Sequence, residues 1–141
     1  MIYTPAEKEK LDKVFAAFQG YIQQHTCFDI LYSDKIGYIQ LLTEYPEDGG
    51  EFTVIDSAKD LMEILFLELA MDLLSAESTM THMSSQLSEA QEHELRNRVK
   101  QYLKPLGREA GCYLELFEYF LEQFDKDINW ELREYYAYSE G

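Results

Sequence analysis

A chain of 141 residues is long enough for one domain with a genuine core and too short for two of ordinary size. Hydrophobic residues make up 46% of it and charged residues 28%, a globular balance that argues against a disordered chain. Its 27 acids against 12 lysines and arginines give a net charge of −15, which opposes contact with DNA, RNA or an anionic membrane and favours solubility and fast encounter with basic partners.

The opening MIYTPAEKEK lacks the apolar run of a secretory signal. It reads instead as a helix start, with Thr4 as cap, Pro5 at the first helical position and Glu7 closing a capping box. Leu11, Val14, Phe15, Phe18 and Ile22 then recur on one helical face, which predicts a helix to about Gln24.

The period next changes to two. In CFDILYS, Phe28, Ile30 and Tyr32 alternate with Cys27, Asp29 and Leu31; Ser33-Asp34-Lys35 supplies a turn, and IGYIQLLT reads as a second strand. YPEDGG punctuates before a third short strand, EFTVI. Short turns between consecutive strands predict an antiparallel meander, because parallel pairs need a long crossover.

Asp56 or Ser57 caps a helix expected over about 57–74, so apolar nearly all round that it should be buried on several sides and form the middle of the core. Its longest apolar run, ILFLELAMDLL, is broken by Glu68 and Asp72 and is too short and acidic to span a bilayer. Residues 75–88 are rich in Ser and Thr without sustained period and read as a mobile connector. Ser88 and Gln91 form a second capping box, Leu95, Val99, Tyr102, Leu103 and Leu106 give a buried stripe, and Pro105 and Gly107 end the helix.

LELFEYFLEQFDKDINWELREYYAYSEG closes the chain. At about 100° per residue, Tyr113, Leu116, Phe117, Phe120, Leu121 and Phe124 gather on one face, with Glu115, Glu118, Glu122 and Asp125 in a narrow line nearly opposite. Asp127 caps a short final helix carrying Ile128, Leu132, Tyr135 and Tyr136. The expected architecture is α+β and a single domain: an N-terminal helix, a three-stranded meander, a buried apolar helix, a C-terminal helical hairpin and a short final helix.

Charge is uneven. Residues 81–107 hold 3 acids and 4 bases, whereas 108–141 hold 9 and 3, so one locally basic element sits between acidic ones. The acidic line spans about 15 Å at a 1.5 Å rise per residue, with a carboxylate about every 5 Å. Duplex DNA carries a charge every ~3.4 Å per strand, so one such helix is a sparse phosphate mimic that needs a second acidic row, from Asp60 and Glu63 or from Glu131 and Glu134. A solvated face, partly neutralised by Arg96, Lys100 and Lys104, is the simpler account of the same line. Glu92 is placed to pair with Arg96 one turn on, which accounts for those bases better than nucleic acid does.

Chemistry-bearing motifs are sparse. His25, His82 and His93 show no metal-ligand spacing, the carboxylate helix lacks Glu-x-x-His pairs, and no nucleophile elbow or phosphate-cradling glycine loop is present. Cys27 and Cys112 make no disulfide framework and are expected as reduced, buried thiols. These readings point to a non-enzymatic, cytoplasmic binding protein without cofactor or metal. Its partner would be a basic protein, with nucleic-acid-handling enzymes as the target class, inhibited in the manner of phage, mobile-element or immunity proteins. Glu115, Glu118, Glu122, Asp125, Glu131 and Glu134 would supply charge, with Tyr135 and Tyr136 as anchors. The alternative is an adaptor that binds a second copy through its aromatic C-terminal end; an enzyme without a recognisable motif comes third.

Overall fold

The computed structural model describes residues 2–42, 51–80 and 87–127, with side chains through 76 and 123 in the last two spans. Along the chain run α1 (Pro5–Gln24), β1 (Phe28–Ser33), β2 (Gly37–Leu42), β3 (Glu51–Val54), α2 (Ala58–Met80), α3 (Glu89–Leu103), a 3-10 stretch (Lys104–Ala110) and α4 (Gly111–Asp127). This is the expected α+β order; the short final helix expected after Asp127 lies outside the described residues. Packing gathers the chain into two units, Met1–Leu65 and Phe66–Gly141, with α2 running through both.

In the first unit, α1 begins where the sequence places it. Thr4 Oγ1 accepts the Glu7 N–H at 3.1 Å, satisfying one orphan donor of the first turn. The other half of the expected capping box does not form: the Glu7 carboxylate accepts the N–H of Ala58 instead, at 2.5 Å. Ala58 opens α2, and an acid there satisfies a part-buried donor and meets the positive end of that helix. Leu11, Val14, Phe18, Tyr21 and Ile22 bury one face of α1, while Phe15 is half-buried with its ring 5.5 Å from that of Tyr38.

The three strands pair antiparallel in the order β1-β2-β3. Phe28 faces Leu42 and Ser33 faces Gly37 across the first pair; Ile39 faces Val54 across the second. Phe28, Ile30 and Tyr38 are buried on one side of the pleat. Tyr32 shares their alternation but stays 44% exposed, its ring lying under the Lys8 ammonium, 4.4 Å from centroid to nitrogen. Gly37 adopts φ +97°, a left-handed conformation that suits glycine. The buried Tyr3 hydroxyl sits against it, accepting the Tyr38 N–H at 2.9 Å and donating to the Ile55 carbonyl at 2.5 Å.

Ser57 starts α2, its hydroxyl accepting the Asp60 N–H at 3.1 Å. Leu61, Met62 and Leu65, which belong to the first unit, and Phe66, Leu69, Ala70, Leu73 and Leu74, which belong to the second, are all buried. Leu67 is 38% exposed, so the helix keeps one open edge despite its composition. α2 continues to Met80, six residues beyond the end predicted from the apolar pattern. Nothing in Ser75-Ala76-Glu77-Ser78-Thr79 breaks a helix: there is no Gly or Pro, and Ser and Thr cost only tenths of a kcal/mol each. Of the expected connector, residues 81–86 lie outside the described residues.

In the second unit the Ser88–Gln91 capping box is complete in both directions. Leu95, Val99 and Leu103 are buried as the stripe predicts, with Tyr102 and Leu106 half-buried. Pro105 follows the end of α3, and Gly107 at φ +71° turns the chain into α4. Phe117 and Leu121 are buried on α4, and the rings of Tyr113 and Phe120 lie 5.2 and 6.5 Å from that of Phe66. The expectation of buried thiols fails: Cys112 is exposed, at the second residue of α4, and Cys27 is only half-buried. Among the described residues no helix is long and apolar enough to cross a membrane.

Candidate binding surface

α3 and α4 pack as antiparallel neighbours, joined by the short 3-10 stretch and tied together by Arg96 and Glu118. Arg96, at the middle of α3, is clasped from both helices. Its Nε and one terminal nitrogen donate to the two oxygens of Glu118, the second bond at 3.0 Å, and that nitrogen also reaches Glu92 at 3.4 Å. The bidentate geometry suits a guanidinium fork. The Glu118 hydrogen bond, foremost, holds the Arg96 guanidinium above its already high ordinary value, with the charges of Glu118 and Glu92 adding to it.

Around this clasp lies a cleft of about 460 Å³ lined by Glu92, Arg96, Glu115, Glu118, Tyr119, Leu121 and Glu122. Four carboxylates there meet one guanidinium. The structure therefore brings together three of the eight residues expected at the binding surface: Glu115, Glu118 and Glu122. They do not play one role. Glu115 and Glu122 are exposed, whereas Glu118 is the internal counter-ion of Arg96, which is the neutralised-face account of that position. The Glu92–Arg96 pair expected from their spacing is present. Asp125 lies on α4 with its side chain outside the described residues, as are Glu131, Glu134, Tyr135 and Tyr136 altogether.

One residue on the rim of the cleft, Tyr119, was not singled out by sequence. Tyr119 is 49% exposed; it lies four residues after Glu115 and three before Glu122, which puts it beside the acidic line rather than on the apolar face. Glu92, expected from its spacing as a partner of Arg96, adds a carboxylate to the cleft from α3. Compared with known proteins, the chain matches no family model, no curated protein and no solved structure.

Proposed function

We propose that this is a non-enzymatic, cytoplasmic binding protein whose acidic α3–α4 edge engages a basic protein and inhibits it. The observation that carries the reading is the cleft in which four carboxylates and one guanidinium surround the exposed Tyr119. Tyrosine supplies contact area at low entropic cost, and the surrounding acids favour a cationic counterpart. With Glu118 and Glu92 both held on Arg96, the acidic row is sparser than a phosphate backbone. The partner would thus read local charge and an aromatic anchor more than duplex geometry. Nucleic-acid-handling enzymes, with their basic grooves, are the target class, and the net charge of −15 would steer the encounter.

The test is capture from lysate at low and high ionic strength with identification by mass spectrometry, comparing the wild-type chain with Glu115→Gln/Glu122→Gln. A basic protein retained at low salt, released as salt rises, and lost by the variant supports the reading. Retention that ignores both salt and the two substitutions would sink it.

A further inference from the structure

A second cleft lies along the same two helices and has the opposite character. Residues 95–108 carry five bases and no acid in a chain of net charge −15. Two of those bases, Lys100 and Lys104, rim a cleft of about 590 Å³ whose apolar lining includes Leu103, Ala110 and Leu114, with Gly111 at the start of α4. Glu92, Arg96, Lys100 and Lys104 follow one another at four-residue spacing, about 6 Å per step, so a single row on the α3 side runs from acidic to basic. On α4 the sense matches, with Gly111 and Leu114 at the basic end and Glu115, Glu118 and Glu122 toward the acidic one. One end thus offers an exposed aromatic knob flanked by carboxylates, and the other, about 12 Å away, an apolar hollow flanked by ammonium groups.

We propose that the α3–α4 groove is a self-association surface on which two copies meet antiparallel, Tyr119 of each seated in the Lys100–Lys104 cleft of the other with Glu115 and Glu122 against those lysines. A two-fold axis across the groove places each acidic end against a basic one, and the contact closes on itself. A second copy is the occupant that supplies both charges and both shapes at the required separation without further specification. The −15 charge on each copy opposes approach at long range, so the dimer is a weak one held by local complementarity. The inference uses the acidic end of the site described above but rests on no foreign partner.

The test is sedimentation equilibrium of the isolated full chain up to about 1 mM, the affinity range of weak encounters, with circular dichroism to confirm that each variant is folded. The wild type should show a monomer–dimer equilibrium. Lys100→Glu/Lys104→Glu and Glu115→Lys/Glu122→Lys should each weaken it at least about tenfold, and an equimolar mixture of the two should regain wild-type affinity as a heterodimer. Lys10→Glu/Lys35→Glu, which reverses two charges on the first unit instead, should shift it far less. A monomeric wild type, charge reversals no worse than that control, or a mixture that fails to pair would each overturn the proposal. Any of those results leaves capture of a basic protein, measured in lysate, as a separate question.

Discussion

Glu7, in the first turn of α1, accepts the N–H of Ala58, the first residue of α2, so one carboxylate stands at the N-termini of two helices. Its own N–H is held by Thr4 Oγ1. Both helix dipoles favour the negative charge, and the Ala58 donor has the acid as its partner across 51 residues of chain. Glu7→Ala should destabilise the chain by about 1–2 kcal/mol, the usual cost of a lost cap with a charge contribution. Glu7→Gln keeps an acceptor and should lose about half as much. Urea denaturation of the two variants checks the order; equal losses would mean that the charge contributes nothing.

Gly37 and Tyr3 are fitted to each other. A Cβ on Gly37 would lie 2.5 Å from the Tyr3 hydroxyl oxygen, and φ there is +97°. Gly37→Ala therefore meets both a strained backbone and a collision with a buried ring, and should cost about 2–4 kcal/mol. Tyr3→Phe removes the collision's nearest atom but strands the Tyr38 N–H and the Ile55 carbonyl, at about 1–3 kcal/mol. In the double variant the losses should fall short of additive, since the hydroxyl that the added methyl would strike is gone. Thermal melts of the four proteins give the cycle, and strict additivity would refute the fit.

The cluster of Lys8, Asp12 and Tyr38 predicts opposite pH limbs. Lys8 Nζ donates to both Asp12 oxygens at 2.7 and 2.8 Å, and the Tyr38 hydroxyl donates to Asp12 at 2.6 Å. Burial acts to raise the Asp12 carboxyl, but the hydrogen bonds from Lys8 and Tyr38 and the Lys8 charge outweigh it and leave the group below the ordinary carboxylate range. Its stabilisation is thus present above an unfolded value near about 4 and is lost as pH falls through the lower folded value. Tyr38 is displaced the other way: burial first, then the bond to Asp12, holds its phenol well above the ordinary value. That stabilisation is full below about pH 10 and is lost as pH rises toward the folded value. Asp12→Asn should flatten the acid limb of stability against pH, and Tyr38→Phe the alkaline one. The difference in phenolate absorbance between wild type and Tyr38→Phe should emerge only as the protein unfolds; a difference at about pH 10 with both chains native would contradict the burial argument.

Local signals marked the helix starts well. Thr4, Ser57 and Ser88 all cap where residue type and spacing place them, because a cap is decided within four residues. Strand order was equally readable from turn length. What sequence could not supply was long-range: that Glu7 turns from its own helix to Ala58, and that Glu118 leaves the acidic line to hold Arg96, 22 residues away. A helical wheel gives Glu115, Glu118 and Glu122 the same standing, and only the packing of α3 against α4 separates them. The end of α2 was misplaced for the opposite reason, since a helix without a breaker has no local stop signal and the apolar stripe ended before the helix did.

Arg96 distinguishes the structural from the functional side of the acidic cleft. Its side chain is 31% exposed and that of Glu118 44%, so the pair belongs with surface ion pairs and contributes about 0–1 kcal/mol to stability. Arg96→Met keeps much of the stem's packing while removing the guanidinium that lines the cleft. The melting temperature should fall by a few degrees at most, about 4–8 °C per kcal/mol for a domain of 60–100 residues and less for a longer one. Binding of a basic partner should move the other way: with the guanidinium removed, the cleft keeps four carboxylates and no positive charge, and capture should persist to higher salt. Charge at this position would then be seen to restrain affinity while tying two helices together. The salt concentration that releases half of the captured partner, compared between wild type and Arg96→Met, measures this. A lower release point for the variant would show that Arg96 orders the surface the partner reads, and that Glu118 matters there only through it.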